Sequence, residues 1–326
     1  MHARNYHFRK ALDKLSAYQP GIKIEQVKDV CPDIPIAQLS SNESPDGPTP
    51  AVLEAISKMA LTLNRYPDGS AKSLKEAIAQ FYGVKPEEVL VGAGLNEIIN
   101  LLALAIMEAT DNAVFPWPSF VVYLSAQDTI ESQSIKVALT QDYELDLQAM
   151  LDAIDEHTRL VYICNPNNPT STIKSEEALD EFMSKIPDHV LVLFDEAYFE
   201  FVDTDKTTSG LKYFSRGNVI VGRTFSKIYG LAGLRCGYVL APEAIVKAVD
   251  KVRAPFNVNS LAYAACSTAL DDQVGIEKKF QANKAAREAI MATLEEEGYS
   301  FAKSQSNFVY FKTKDAKKFY DALLEH

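Results

Sequence analysis

The sequence is short of several things, and each shortage narrows the field. Its 326 residues include only four cysteines, Cys31, Cys164, Cys236 and Cys266. None stands in a Cys-x-x-Cys pair, so neither a zinc site nor a dithiol centre is supported, and no metal is expected. Scattered thiols of this kind read as reduced and mostly buried, in a cytoplasmic protein. No window approaches the roughly 18 apolar residues of a membrane span. The longest apolar run is the short stretch Leu101–Met107. The opening MHARNYHFRK lacks the apolar centre of a secretory signal, and the nearby Asp13 argues against a transit peptide. There is no basic block, and the net charge is −11. That disfavours nucleic acid and anionic membrane as partners. An anionic ligand would have to be held by a few local arginines, lysines or backbone amides. Internal repeats and low-complexity segments are also missing.

What remains is an ordinary globular composition, 47% apolar and 24% charged. The length suggests two domains, or one large domain with a smaller lobe. Between about residues 50 and 240 two textures alternate. Short runs rich in Val, Ile and Leu read as buried strands: Val89–Val91, Leu160–Cys164, Val190–Phe194, Val219–Val221 and Tyr238–Leu240. Helical segments lie between them. Thr49-Pro50 fits an N-cap followed by an N1 proline, opening a helix over Ala51–Ala60. Ser73–Glu76 fits a capping box, and Gly83 a helix stop. Ser175–Ile186 starts on serine and is followed by Pro187. The alternation predicts an α/β fold with a mostly parallel sheet flanked by helices.

The two ends differ from this middle. Residues 1–40 hold one basic helix and a proline-punctuated stretch. Residues 243–326 read as helices, with a long one near Gly275–Gly298, then an apolar strand at Phe308–Phe311. The expected division is a large α/β domain over 41–242 and a smaller α+β lobe built from 1–40 and 243–326.

Ligands of open α/β sheets bind beyond the carboxyl ends of the strands. Four predicted strands deliver polar groups there. Val89–Val91 runs into Gly92-Ala93-Gly94-Leu95-Asn96-Glu97, and Leu160–Cys164 into Asn165-Pro166-Asn167-Asn168-Pro169-Thr170. Val190–Phe194 is followed by Asp195-Glu196-Ala197-Tyr198, and Val219–Val221 by Gly222-Arg223-Thr224-Phe225-Ser226-Lys227 and a glycine-rich turn with Arg235. Together they say more than any one motif.

Each piece has a plain alternative. The glycine turn offers backbone amides at a helix start to a phosphate, or is simply a tight turn. It is not a dinucleotide fingerprint, because Glu97 stands where the third glycine should be, and no Gly-Lys-Ser/Thr follows for a Walker loop. Asp195, ending an apolar strand, needs a partner; a protonated ring nitrogen would suit it, as would a nearby arginine. Tyr198 is a candidate site residue or an ordinary core tyrosine. Asparagines are common in turns for local reasons. A partly desolvated Lys227 is a nucleophile toward carbonyls; a solvated one is surface. Arg235 either clamps a phosphate with its planar fork or is structural.

Thr224-Phe225-Ser226-Lys227 followed by Gly230-Leu231-Ala232-Gly233-Leu234-Arg235-Cys236-Gly237-Tyr238 resembles the pyridoxal-phosphate aminotransferases of fold type I. Further stretches resemble the histidinol-phosphate aminotransferase family. They are Leu39 through Pro48, Asn64-Arg65-Tyr66-Pro67-Asp68, Cys164 through Thr170, Asp195 through Tyr198, and Val252 through Ser260. The resemblance runs in order from about Tyr18 onward. It implies a seven-stranded sheet and pyridoxal 5'-phosphate as cofactor. It implies that Lys227 forms a Schiff base with the cofactor aldehyde and later moves the substrate α-proton. Asp195 would pair with the pyridine nitrogen, and Tyr198 and Asn168 with the phenolic oxygen. Arg235, Thr224, Ser226 and the amides of Gly94, Leu95 and Asn96 would hold the phosphate, and Phe120 would stack on the ring. Tyr66 would cross to a partner's cofactor, making a homodimer the active unit. Tyr18 and Asn42 would lie near substrate. The implied reaction converts histidinol phosphate and 2-oxoglutarate to imidazole-acetol phosphate and glutamate, in histidine biosynthesis.

The sequence departs from this family in places. Ser171 stands where glycine is usual, a mild strain if that residue needs positive φ. Phe120 replaces a more usual tyrosine. The family continues past this point with further strands, a helix and a carboxylate-binding arginine. On that basis the chain ending at His326 is expected to bind cofactor but to transaminate poorly. Rival readings on the same scaffold are an aromatic amino-acid aminotransferase and a threonine-phosphate decarboxylase. A non-catalytic cofactor-binding or regulatory protein is a reading of another class; the presence of Lys227, Asp195, Tyr198, Asn168 and Arg235 argues against it. A nicotinamide-dependent oxidoreductase fails at Glu97.

Overall fold

The computed structural model describes residues 6–17 and 36–325. Tyr18 and Cys31 therefore lie outside the described residues. Seven strands form one sheet: β1 (Val89–Gly92), β2 (Asn112–Trp117), β3 (Gln133–Ala138), β4 (Thr158–Cys164), β5 (Leu191–Asp195), β6 (Val219–Thr224) and β7 (Gly237–Leu240). Their order is β1-β7-β6-β5-β4-β2-β3. Strand β7 runs antiparallel to both its neighbours, and the other pairs are parallel. Each of the five strands expected between residues 50 and 240 is present. Two were not read from the sequence. Strand β2 carries Pro116, and its ladder to β4 covers only Asn112–Val114. Strand β3 is an edge strand in which Gln133, Ser134 and Lys136 interrupt the apolar residues, which leaves it without an apolar run.

Both faces of the sheet are covered, as the near-continuous apolar strands require. Alternate residues point to opposite faces. Val161 and Ile163 join a cluster with Leu74, Ile78, Phe182 and Tyr263, while Leu160 and Tyr162 join a second with Ile98, Leu102, Tyr123 and Val249. Helices α1 (Pro50–Ala60) and α2 (Lys72–Tyr82) precede β1, and α3 (Leu95–Ile106), α4 (Val122–Ile130), α5 (Leu147–Asp152) and α6 (Glu176–Lys185) alternate with strands β1 to β5. Residues 243–271 supply α7 (Glu243–Asp250) and α8 (Ser260–Asp271). Although the sequence reading put them in the smaller lobe, α7 packs on α3 and β1, and α8 packs on α1 and α2. The long helix α9 (Gln273–Glu296) follows, and α10 (Ala316–Glu325) ends the described chain.

Local chemistry explains the helix ends. Ser175 accepts the Ala178 N–H at the start of α6, and Asp272 accepts that of Gly275 at the start of α9. Gly83 ends α2 with φ 69°. The expected capping box at Ser73–Glu76 is not formed. Asp68 instead takes the backbone N–H groups of Ser70 and Lys72, so α2 begins one residue before Ser73. The expected strand at Phe308–Phe311 is also not a strand. Phe311 makes a single antiparallel bridge to Phe301, while Phe308 packs edge-on against Tyr198 and Tyr310 against Tyr143. Its apolar residues serve packing rather than a ladder. Within residues 6–17, Lys10–Asp13 forms a 3-10 turn with Ala11 buried. No helix among the described residues is long and apolar enough to cross a membrane.

Candidate active site

A cleft of about 580 Å³ opens at the carboxyl ends of the central strands. Leu95, Asn96, Phe120, Asn168, Asp195, Tyr198, Thr224, Ser226, Lys227, Arg235 and Asn42 all line it. These are eleven of the residues singled out in the sequence, arriving from six stretches of chain. Ser40, Ser41, Glu43, Cys164, Ala197, Ala232 and Gly233 complete the lining.

Lys227 follows β6 by three residues and is half-buried. Its Nζ donates to the Ser41 carbonyl oxygen at 2.8 Å and lies 5.4 Å from the Tyr198 ring centre. Burial pulls its pKa down to about 8; Glu43 and Asp195 work against that shift, and Arg235 adds to it. Desolvation wins because the charged form loses most of its water. The amine is thus held close to its neutral, nucleophilic form.

Asp195 ends β5 and is 2% exposed. Its Oδ2 accepts the Tyr123 hydroxyl at 2.6 Å, and its Oδ1 accepts the Ala197 N–H at 3.1 Å. Burial raises its pKa, opposed by those two hydrogen bonds and by Lys227. A buried carboxylate facing a cleft is suited to a cationic N–H partner. Tyr123 escaped the sequence reading. It is a fully buried helical tyrosine stacked on Tyr162 at 4.4 Å, and nothing in its spacing distinguishes it from an ordinary core residue.

The Tyr198 hydroxyl accepts from Asn42 Nδ2 at 3.2 Å and Asn168 Nδ2 at 3.3 Å. Burial raises its pKa, so it stays a phenol. Asn168 is supported by its turn: Asn167 donates to the Pro118 carbonyl and the Thr170 hydroxyl, and accepts from Ser119. Ser171 in that turn has φ 55°, and its buried hydroxyl finds no partner among the described residues. The departure from glycine noted in the sequence thus falls on a left-handed residue.

Arg235 and the first turn of α3 face each other. Gly94 has φ 89°, and a Cβ there would come within 2.7 Å of Arg235 Nη2. A Cβ at Gly237 would lie 2.5 Å from the Leu95 nitrogen. Both glycines therefore let a guanidinium and helix-start amides converge. Thr224 and Ser226 border the same corner, with the Ser226 N–H donating to Thr224 Oγ1 at 3.1 Å. Guanidinium, hydroxyls and a helix N-terminus form an anion cradle. Glu97 anchors the turn by accepting from the Ala93 N–H and Asn257 Nδ2, both at 2.6 Å.

Tyr66 does not join the cleft. It is 84% exposed and stacks on Phe256 at 4.9 Å. Tyr18 lies outside the described residues. No group of three or more His, Cys, Asp or Glu side chains with metal-binding geometry occurs among the described residues.

A family model described as "Aminotransferase class I and II" matches residues 34–326. The chain belongs to this family. It is 41% identical over 308 residues to histidinol-phosphate aminotransferase 2 of Carboxydothermus hydrogenoformans, covering 94% of this chain and 85% of that protein. It is 40% identical to histidinol-phosphate aminotransferase of Geobacillus thermodenitrificans, covering 97% of this chain and 87% of that one. The crystal structure of histidinol-phosphate aminotransferase from Sinorhizobium meliloti in complex with pyridoxal 5'-phosphate superposes with a TM-score of 0.88. That match covers 99% of this chain and 86% of that one at 28% identity. Aspartate aminotransferase of Thermus thermophilus, at 20% identity and TM-score 0.85, shares the fold.

Proposed function

We propose that this aminotransferase moves the amino group of histidinol phosphate to 2-oxoglutarate with pyridoxal 5'-phosphate as cofactor. The carrying observation is one cleft in which a desolvated lysine, a buried carboxylate and an anion cradle face one another. Curated relatives at about 40% identity over almost the whole chain bear the histidinol-phosphate name, which favours that donor over an aromatic amino acid.

The residues present fit the cofactor. Arg235, Thr224, Ser226 and the amides of Gly94, Leu95 and Asn96 would hold its phosphate. Asp195, kept in place by Tyr123 and Ala197, would bond the pyridine N–H. Tyr198 and Asn168 would bond the phenolic oxygen, and Phe120 would cover a ring face. Bound pyridoxal phosphate supplies an electron sink for the carbanion left when an α-proton departs. Lys227 serves as the amine that carries the cofactor and, once freed, as the base and then the acid that moves that proton. Its lowered pKa suits both tasks, since a neutral amine is needed to accept and an ammonium to give. The Ser41 carbonyl orients the amine. Tyr198, kept protonated by burial, donates rather than competes as a base.

The reading includes a homodimer in which Tyr66 reaches the partner's cofactor phosphate. Its support is a rim of large apolar side chains left exposed on one chain: Leu61 at 86%, Tyr66 at 84%, Leu63 at 53% and Phe256 at 44%. It also includes a cytoplasmic location, in keeping with Cys164, Cys236 and Cys266 being buried and unpaired.

The test is a panel of amino donors with 2-oxoglutarate, following glutamate formation and carbon dioxide release. Histidinol phosphate should give the highest kcat/KM, with no carbon dioxide. Preference for an aromatic amino acid, or decarboxylation of a phosphorylated substrate, would overturn the assignment.

A further inference from the structure

Several buried charges stand outside the cleft, and Lys279 is the one that touches segments lining it. Lys279 lies in the second turn of α9 and is 9% exposed. Its Nζ donates to two backbone carbonyl oxygens, Gly47 at 2.9 Å and Tyr229 at 3.2 Å. Burial pushes its pKa down, while Asp46 and Asp272 push it back up. An ammonium placed among carbonyls is costly to bury and persists only where its hydrogen bonds repay that cost.

The two carbonyls belong to two chain segments that each run on into the lining of the cleft. Gly47 closes the segment whose Ser41 carbonyl accepts from Lys227 and whose Asn42 amide donates to Tyr198. Tyr229 lies two residues past Lys227, in a turn closed by the Gly230 N–H donating to the Lys227 carbonyl at 2.9 Å. The crossing is tight. Gly230 has φ 71°, and a Cβ there would meet the Asp46 carbonyl oxygen at 2.6 Å and Lys279 Nζ at 2.8 Å. Glycine is needed at that point both for its backbone angle and for space.

We propose that Lys279 is a positioning residue for the transamination: its ammonium ties the Ser41–Gly47 segment to the Lys227 turn and so holds the Lys227 amine on the Ser41 carbonyl. Neither segment has another side chain bridging Gly47 to Tyr229 among the described residues. A cationic donor suits the place because one head group must satisfy several carbonyls at once. Lys279 also rides on α9, so the clamp links the cleft to the C-terminal part of the chain. Asn307 adds to that link by donating to the Asn42 carbonyl at 3.0 Å.

The test is Lys279→Met in the full chain, which keeps most of the stem and removes the charge. Hydrogen exchange on the cofactor-free protein should accelerate about tenfold or more in peptides covering 41–47 and 227–231 together, with α3 and β4 unchanged. On the loaded enzyme, kcat should fall about 10- to 100-fold while KM for the amino donor moves less than about threefold. Exchange that rises only in α9, or evenly through the chain, would overturn the proposal, as would a kcat within about twofold of the parent. If K279M does not fold, G230A carries the test. Its added methyl would meet the Asp46 carbonyl oxygen at 2.6 Å and Lys279 Nζ at 2.8 Å, so the same two segments should loosen together; their unchanged protection would overturn the clamp. Only the kinetic arm rests on the proposed function. An inactive parent enzyme would sink that reading and leave the exchange result standing.

Discussion

Lys227 owes its reactivity to its surroundings rather than to its residue type. A solvated lysine near its ordinary pKa would be neutral in a few molecules per ten thousand at pH 7; at a pKa of about 8 the fraction is about a tenth. Cofactor capture by the free protein should therefore speed up tenfold per pH unit below about 8 and level off above it. Stopped-flow measurement of capture against pH checks this, and a rate still climbing steeply through pH 9 would show that desolvation does not set the amine's basicity. The neighbouring carboxylate makes a second prediction. Tyr123 donates to Asp195 at 2.6 Å, and a hydrogen bond to a buried charged group contributes roughly 1.5–3 kcal/mol. Tyr123→Phe should weaken cofactor binding by about 10- to 100-fold in equilibrium titration and leave the protein folded, because the aromatic stack on Tyr162 is retained. An unchanged dissociation constant would mean that the Ala197 amide alone holds Asp195.

At the level of elements, the cleft exists because four parallel strands end together and hand over to polar turns. Strand β6 ends on Thr224 itself, so the last ladder residue already belongs to the anion cradle. The cradle depends on space beside Arg235. Gly94→Ala would put a methyl 2.7 Å from the guanidinium at a φ of 89°. It should cost at least tenfold in cofactor affinity, about 1.4 kcal/mol, measured by titration against the parent. The asparagine turn offers the opposite experiment. Ser171 holds φ 55° and buries a hydroxyl without a partner. Ser171→Gly should stabilise the fold by about 1 kcal/mol in urea denaturation. A destabilisation would indicate that the hydroxyl is satisfied by water.

This scale also shows what the sequence can and cannot disclose. Apolar runs such as Leu160–Cys164 and Val219–Val221 announce themselves, and so do the polar groups that follow them. Strand β3 does not, because an edge strand exposed on one side has no reason to be apolar. Glu97, which rules out a dinucleotide turn, proves to brace the turn by accepting from Ala93 and Asn257. Tyr123 and Lys279 act through distant contacts, to Asp195 and to Gly47, that only the folded chain brings about. Local spacing carries no trace of such contacts.

The whole molecule combines a sheet closed on both faces with a C-terminal part joined to it by aromatic packing, Phe308 on Tyr198 and Tyr310 on Tyr143, and by polar links. Lys279, Asn307 and Arg287 are among the latter, the last bonding the Phe201 and Ser306 carbonyls and pairing with Asp203 at 2.8 Å. We place the division between lobes at the start of α9, since α7 and α8 share the sheet's core. The proposed dimer belongs to this scale. If Tyr66 serves the partner's site, mixing Tyr66→Ala subunits with Lys227→Ala subunits should rebuild one intact site per mixed dimer. Activity should then exceed that of either variant alone. A mixture no better than the Tyr66→Ala protein would place Tyr66 outside the active site of any assembly.

The account turns on Lys227, and one measurement reaches it directly. The protein is loaded with pyridoxal 5'-phosphate, reduced with borohydride, digested and mapped by mass spectrometry. The expected result is a yellow protein that bleaches on reduction, with a single modified peptide labelled at Lys227. A label on any other lysine, or no label on a protein that binds the cofactor, would contradict it.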